Sequence, residues 1–120
     1  MATILLVEDT PANLALAAKV LRAAGYEVLT AESAVDGIAL AREKLPDLVL
    51  MDLGLPDMDG WQALREIRGH QSSASLRVAA FTAHAMIGDR ARVLAAGFDG
   101  YLSKPINFAT FADSVGDLLP

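Results

Sequence analysis

The chain has 120 residues, of which 53% are hydrophobic and 21% charged, and it contains no cysteine. This composition is typical of one globular domain, and it excludes a disulfide framework and a thiolate metal site. The net charge of −5 argues against non-specific nucleic-acid binding and against docking on anionic lipid, which both need clustered basic residues. No stretch is typical of a signal peptide or could span a bilayer, so we expect a soluble, cytoplasmic protein.

The first two predicted elements are a buried strand and an amphipathic helix. Thr3–Val7 is apolar without polar alternation, which is typical of a strand that is buried on both faces. Thr10 is the expected N-cap of the helix, and Pro11 occupies its first position. Gly25 is expected to end this helix as a left-handed cap. The apolar stripe of the helix comprises Leu14, Ala17, Ala18 and Leu21.

A second strand and helix, then a third strand, follow in the same alternation. The second strand is predicted at Tyr26–Thr30, and Ser33 is expected to cap the helix after it. Pro46 stops that helix, and Leu48–Met51 forms a third strand that is apolar throughout. The stripe of the second helix is predicted to comprise Val35, Ile38, Ala39 and Arg42.

The second half of the chain continues the alternation. Asp59 and Gln62 have the spacing of a capping box at the start of a third helix, which Gly69 closes. The later elements are a strand at Leu76–Phe81, a helix at Ile87–Ala96 before Gly97, a short strand with Tyr101 and Leu102, and a last helix capped by Asn107. Five strand–helix pairs predict an α/β fold with a doubly wound parallel sheet, and residues 1–120 are expected to form one domain.

Polar side chains follow four of the five predicted strands at their carboxyl ends. Glu8 and Asp9 follow the first strand, Asp52 the third, Thr82 the fourth and Lys104 the fifth. Because ligands of doubly wound sheets bind beyond the carboxyl ends of the strands, we expect these groups to meet at one edge.

Three neighbouring carboxylates favour a divalent cation. Mg²⁺ prefers oxygen ligands and takes one or two protein carboxylates, so Asp9 and Asp52 are the expected direct ligands. Glu8, which is longer, would act through a bound water, and a backbone carbonyl near Gly54 would complete the set. Acidic helix capping would explain Glu8 and Asp9 alone, but Asp52 after the adjacent strand favours the metal site.

Asp52 is the candidate nucleophile, since a carboxylate can attack phosphorus and form an acyl phosphate. Lys104 would neutralise charge on the transferred group, and a cis Lys104–Pro105 bond would direct the ammonium into the site. Pro105 is equally compatible with a simple entry to the last helix. Thr82 would donate a hydrogen bond to a phosphoryl oxygen, although strand propensity alone explains a threonine there.

Four segments resemble the response-regulator receiver family. They are Ile-Leu-Leu-Val-Glu-Asp at 4–9, Leu-Val-Leu-Met-Asp-Leu-Gly-Leu-Pro-Asp-Met-Asp-Gly at 48–60, Phe-Thr-Ala at 81–83 and Gly-Tyr-Leu-Ser-Lys-Pro-Ile at 100–106. The resemblance covers nearly the whole chain and extends to stand-alone receivers and to the receivers of hybrid kinases. It implies five helices and a flavodoxin-like, CheY-like strand order 2-1-3-4-5.

The resemblance also implies a role for each matching residue in a two-component phosphorelay. Asp52 would accept a phosphoryl group from a histidine kinase or a histidine phosphotransfer protein. The Mg²⁺ ligands would be Glu8, Asp9, Asp52 and the Gly54 carbonyl, and Mn²⁺ would suit the same oxygen atoms. The other implied roles are phosphoryl contact by Lys104, a switch pair of Thr82 and Tyr101, a cis bond before Pro105, and control of phosphoryl loss by Gly54 and by His84, which follows Ala83.

Phosphorylation is expected to change the surface of the fourth helix, fifth strand and fifth helix, and so to control an unidentified downstream protein. The family is a phosphoacceptor switch and not a turnover enzyme. Two alternatives remain open, a pseudo-receiver that only binds partners and a Mg²⁺-dependent phosphohydrolase with an Asp nucleophile. A flavodoxin-type module is disfavoured because Glu8 and Asp9 occupy its phosphate loop.

Overall fold

The computed structural model describes residues 2–82, 89–104, 107 and 109–119. The strands are β1 (Thr3–Val7), β2 (Glu27–Ala31), β3 (Leu48–Met51), β4 (Val78–Thr82) and β5 (Gly100–Ser103). The helices are α1 (Pro11–Ala23), α2 (Ala34–Lys44), α3 (Gly60–Gly69), α4 (Asp89–Ala95) and α5 (Phe111–Leu118). No helix within the described residues is long and apolar enough to cross a bilayer.

All strand pairs are parallel, and the sheet order is β2-β1-β3-β4-β5, which confirms the predicted fold. Alternate side chains of each strand enter two separate cores. One core lies under α2, α3 and α4 and includes Leu5, Met51 and Ala80. The other lies under α1 and α5 and includes Leu6 and Phe81. The sheet is therefore covered on both faces, as the apolar strands require.

The caps predicted at Ser33 and Asp59 are present, and the side-chain cap predicted at Thr10 is not. The Ser33 hydroxyl accepts a hydrogen bond from the Asp36 N–H, and the Asp59 carboxylate accepts one from the Gln62 N–H. Thr10 precedes α1 as expected, but its side chain makes no capping hydrogen bond. The first turn of α1 therefore depends on Pro11, which has no N–H to satisfy.

The buried face of α2 differs from the prediction. Its buried residues are Ala34, Gly37, Ile38 and Ala41, whereas Val35 is 59% exposed. A Cβ on Gly37 would lie 2.6 Å from a methyl carbon of Val7, so the helix approaches β1 very closely. Ile38 was predicted correctly, but Val35 and Ala39 are exposed, because the close approach selects small side chains such as Ala34, Gly37 and Ala41 for the buried face.

The start of α5 also differs from the prediction. Asn107 was expected to cap the last helix, but the helix begins at Phe111 after Thr110. The Asn107 side chain instead accepts a hydrogen bond from the Ala109 N–H, and its carbonyl accepts from Phe111. Asn107 therefore stabilises a separate turn before the helix. Part of the helix predicted at Ile87–Ala96 lies outside the described residues.

Candidate functional site

The candidate site lies where the strand order reverses, between β1 and β3. The strand ladder continues for one residue beyond each strand end, because the Glu8 N–H donates to Ala31 and the Asp52 N–H donates to Val7. Both hydrogen bonds are 3.0 Å long. The backbone of Glu8 and Asp52 is thus as well fixed as the strands themselves, and both side chains start from the edge where doubly wound folds bind ligands.

Glu8, Asp9 and Asp52 form one acidic cluster. Each offers a carboxylate oxygen, and these oxygens all lie within 4.8 Å of one another. Glu8 is 2% exposed and Asp52 is 8% exposed, whereas Asp9 is half-buried. Like charges at this separation and burial repel strongly unless a cation lies among them. The donor set consists of carboxylate oxygens, which suit a hard cation such as Mg²⁺.

Lys104 brings an ammonium group into this cluster from β5. The backbone N–H of Lys104 donates to the Thr82 carbonyl at 2.8 Å, which extends the pairing of β4 and β5 by one residue past the end of β5. Its Nζ lies 2.6 Å from Glu8 Oε2 and 3.1 Å from Asp52 Oδ2. The side chain is 11% exposed, so this is a largely buried cation between two buried carboxylates. The prediction that strand ends bring Lys104 to Asp52 is therefore met in the geometry.

The two buried carboxyl groups differ in proton affinity. Burial, and then a hydrogen bond with Asp52, raises the pKa of Glu8 to about 7, although Lys104 and Asn13 oppose the change. Burial also opposes ionisation of Asp52, but hydrogen bonds from Glu8 and the Gly54 N–H, with the charge of Lys104, hold its pKa below the usual value. At neutral pH, Asp52 is therefore ionised, whereas Glu8 is partly protonated.

Gly54 lies two residues after Asp52, where the sequence predicted a carbonyl ligand. Its N–H donates to Asp52 Oδ1 at 2.9 Å, so this oxygen and the one facing Lys104 are each oriented by a donor. Among the described residues, the only atom within 4 Å of a Cβ on Gly54 would be Asp52 Oδ1, at 3.8 Å. Gly54 therefore places no side chain of its own beside this oxygen.

Thr82 and Tyr101 lie on neighbouring strands, on the same face of the sheet. Tyr101 is the register partner of Ala80, and Thr82 is two residues beyond Ala80, so their side chains share a face. Thr82 is 2% exposed, and Tyr101 is partly buried against the core under α2, α3 and α4. The predicted site residues Ala83, His84 and Pro105 lie outside the described residues.

Two contacts of the site were not foreseen from the sequence. The Asn13 side chain, in the first turn of α1, donates to Glu8 Oε1 at 3.1 Å. The Lys104 ammonium lies 5.0 Å from the centre of the Phe81 ring, within cation–π range. Phe81 belongs to an apolar strand and Asn13 to an ordinary polar helix face, so neither had a sequence signal.

A comparison with protein-family models finds the response regulator receiver domain over residues 4–115. The chain belongs to this family. Among curated relatives of the receiver family, the polar-differentiation response regulator DivK of Brucella ovis is 34% identical over 117 residues, covering 98% of this chain and 95% of the relative. The present chain is thus a receiver domain of two-component signalling, and its family consists of phosphoacceptor switches.

Solved receivers share the fold over nearly the full length of the chain. The chemotaxis response regulator CheY4 of Vibrio cholerae superposes with a TM-score of 0.91 at 26% identity, with 99% of both chains covered. The receiver of the sensor histidine kinase PA1611 from Pseudomonas aeruginosa gives a TM-score of 0.86 at 36% identity, covering 98% of this chain and 96% of that one. That receiver was solved with a magnesium ion coordinated in its active-site cleft.

Proposed function

We propose that this receiver takes a phosphoryl group onto Asp52 in a Mg²⁺-dependent reaction. The observation that supports this most directly is the position of Lys104 Nζ, 3.1 Å from Asp52 Oδ2, in a cluster whose three carboxylates lie within 4.8 Å. An ionised carboxylate, a hard-cation site and a fixed ammonium are the three groups that phosphoryl transfer to an aspartate needs. The whole chain, residues 1–120, would act as this one unit.

Asp52 would attack the phosphorus of a phosphohistidine with a carboxylate oxygen. A P–O bond forms, the P–N bond breaks, and the imidazole of the donor keeps the electron pair of the broken bond and gains a proton from solvent. Asp9, Asp52 and the Gly54 carbonyl would hold Mg²⁺, with Glu8 acting through a bound water. The bound Mg²⁺, or Mn²⁺ in its place, would neutralise charge on the phosphoryl oxygens.

Lys104 would stabilise the same charge from the β5 side. Its ammonium already lies against Asp52, and its backbone is fixed by the hydrogen bond to Thr82. Little rearrangement is needed for it to contact a phosphoryl oxygen on Asp52. A preoriented donor of this kind lowers the barrier because it does not have to be ordered during the reaction.

Thr82 and Tyr101 would transmit the change as a two-state switch. A phosphoryl group on Asp52 adds charge and acceptor oxygens, toward which the buried Thr82 hydroxyl would turn. Tyr101 would then occupy the vacated space, and the α4–β5–α5 surface would change shape. If phosphorylation left the amide NMR signals of α4 and β5 unchanged, this switch would be refuted.

The donor would be a histidine kinase or a histidine phosphotransfer protein, and the output would be a change in binding of a downstream protein. Transmission of the signal to the downstream protein would need no further catalytic group, because that protein would recognise the changed α4–β5–α5 surface directly. A cytoplasmic location, where such kinases present their phosphohistidines, belongs to the same proposal.

Intact-mass spectrometry after incubation with acetyl phosphate tests the proposal. Wild-type protein should gain one phosphoryl adduct with Mg²⁺ and none with EDTA, and Asp52→Asn should gain none in either case. Asp57→Asn is not a suitable control because it lies in the adjoining loop, so Asp47→Asn, at the opposite end of β3, is used. It should behave as wild type.

Other outcomes would support the competing functions. A folded wild-type protein that gains no adduct from acetyl phosphate, or from a phosphohistidine donor, would be a binding-only pseudo-receiver. Sustained release of phosphate from a small phosphoester would make it a phosphohydrolase. An adduct on Asp52→Asn would place the acceptor elsewhere.

A further inference from the structure

The loop from Leu53 to Asp59 carries the backbone that borders Asp52, and it is fixed at both ends. At its start, the Gly54 N–H donates to Asp52 Oδ1 at 2.9 Å. At its end, the Gly60 N–H donates to the Leu53 carbonyl at 3.1 Å, and a Cβ on Gly60 would lie 2.7 Å from the Leu53 Cα. Between these ends, Leu55 is buried in the core under α2, α3 and α4, whereas Pro56 and Asp57 are exposed, so the outer part of the loop has no anchor in the core.

Asp57 anchors this part of the loop by binding the N-terminus of α2. Its Oδ1 accepts from the Ala34 N–H and its Oδ2 from the Val35 N–H, both at 3.0 Å. These two hydrogen bonds lower the pKa of Asp57, so the group is charged at neutral pH. The next donor of the helix, the Asp36 N–H, is taken by Ser33. Two of the first three donors of α2 are thus satisfied by a residue from a distant loop.

Helix α2 is in turn fixed to the strand that carries the other acids. Gly37 packs so closely on Val7 that its Cβ would lie 2.6 Å and 2.8 Å from the two methyl carbons. Val7 directly precedes Glu8 and Asp9. A continuous path of short contacts therefore runs from Glu8 and Asp9 through β1 and α2 to Asp57 and the loop beside Asp52.

We propose that Asp57 is a positioning residue for the metal and phosphoryl site. By joining the loop to the N-terminus of α2, it sets the distance between Gly54 and the acids that follow β1. Asp57 itself takes no part in the chemistry. This inference rests on the proposed Mg²⁺-dependent function, but the conformation of the metal-free loop tests it independently.

Helix capping alone is the competing explanation, and the chain offers matched controls for it. Ser33→Ala removes a cap of the same helix, and Asp36→Asn removes one negative charge from the same first turn. In the described contacts, neither side chain reaches the loop. If Asp57 served only to stabilise α2 or to add charge, these variants would have the same effects as Asp57→Ala.

The first readout uses metal-free protein and amide NMR. In Asp57→Ala, the Gly54 amide should shift, and the Ala34 and Val35 amides should lose protection from hydrogen exchange. In Ser33→Ala and Asp36→Asn, the Gly54 amide should keep its wild-type position. An unchanged Gly54 amide in Asp57→Ala would overturn the inference. Asp57→Asn, which keeps one acceptor oxygen, replaces Asp57→Ala if the latter does not fold.

The second readout separates metal binding from the saturated rate. The Mg²⁺ dissociation constant from calorimetry, and the half-saturating Mg²⁺ concentration for adduct formation with acetyl phosphate, should rise about tenfold in Asp57→Ala. The rate at saturating Mg²⁺ should stay within about twofold of wild type, since the reacting groups are intact. Equal weakening in Asp57→Ala, Ser33→Ala and Asp36→Asn would overturn the inference.

These measurements also separate failure of this inference from failure of the proposed function. If wild-type protein gains no adduct and binds no Mg²⁺, the function is wrong, whereas the Gly54 amide still shows whether Asp57 orders the loop. If wild-type protein is phosphorylated on Asp52 but Asp57→Ala matches it in every readout, only the role of Asp57 is wrong.

Discussion

Glu8→Gln should remove a pH dependence of stability that the buried carboxyl imposes on the metal-free protein. Burial, and then the hydrogen bond with Asp52, raises the pKa of Glu8 from 4.5 to about 7. Because a tenfold change in proton affinity corresponds to about 1.4 kcal/mol, this difference amounts to about 3 kcal/mol. Glutamine keeps the size and hydrogen-bonding capacity of the side chain but does not titrate.

The direction follows from proton linkage. The folded protein binds the Glu8 proton more tightly than the unfolded chain, so the contribution of Glu8 to the free energy of unfolding is fully present below pH 4.5 and is lost as the pH rises through about 7. Asp52, whose pKa is below its usual value, is ionised in both states above pH 5 and adds no slope there. Wild type should therefore lose up to about 3 kcal/mol between pH 5 and pH 8 relative to Glu8→Gln.

Urea unfolding in EDTA at pH 5, 6, 7 and 8 measures this difference. Trp61, the single tryptophan, packs edge-on against Phe98 with 5.7 Å between the ring centres. Its fluorescence therefore reports the loss of tertiary structure. Groups that titrate in both proteins cancel when the two profiles are subtracted. Glu32→Gln, which removes an exposed carboxyl outside the acidic cluster, controls for the loss of one negative charge.

Parallel profiles for wild type and Glu8→Gln would refute the reasoning, because Glu8 would then have the same proton affinity folded and unfolded. A Glu8→Gln profile that gained stability at pH 5 but not at pH 8 would reverse the sign and would refute it equally. A slope of similar size in the Glu32→Gln difference would assign the effect to net charge.

The remaining predictions concern the same edge of the sheet. Lys104→Met leaves the buried Glu8 and Asp52 carboxylates without their ammonium partner, so it should lower the stability of the metal-free protein at pH 8 by about 3 kcal/mol. The loss should be smaller at pH 6, where Glu8 gains a proton. Urea unfolding at both pH values checks this, and a stability equal to that of wild type at pH 8 would contradict it. Gly60→Ala places a Cβ 2.6 Å from Leu53 Cδ2 and should lower stability by about 1–3 kcal/mol. Gly69→Ala, whose Cβ would meet no atom of the described residues within 4 Å, should leave stability unchanged. Thermal unfolding compares the two variants, and equal melting temperatures would contradict the prediction. Mg²⁺ binding should tighten from pH 6 to pH 8, because Glu8 must lose its proton before it can serve the metal site. Calorimetry in buffers of different ionisation enthalpy measures the released proton, and binding that does not change with pH would contradict the prediction.

The order of elements and the membership of the site could be predicted from the sequence. Apolar runs alternating with amphipathic helices require a parallel sheet, and such a sheet collects the residues that follow its strands at one edge. Glu8, Asp9, Asp52 and Lys104 could therefore be grouped without knowing any distance between them. Local signals such as the Ser33 cap and the left-handed Gly25 were also correct, since they depend on neighbouring residues only.

The contacts that adjust the site depend on how distant elements meet, and only the tertiary structure shows them. The buried face of α2 was predicted correctly only at Ile38, because the close approach of Gly37 to Val7 favours small neighbours over hydrophobic ones. Asp57 has the appearance of an ordinary turn residue in the sequence, yet it binds the N-terminus of a helix 22 residues earlier.

The difference has one physical reason. Periodicity and chain order act through the backbone and determine which residues lie at which edge of the sheet. Proton affinities and hydrogen-bond partners depend on separations of a few ångströms between side chains far apart in sequence. The sequence by itself therefore determined that three acids and Lys104 meet, and only the packed structure decided that Lys104 lies between Glu8 and Asp52 and that Asn13 orients Glu8.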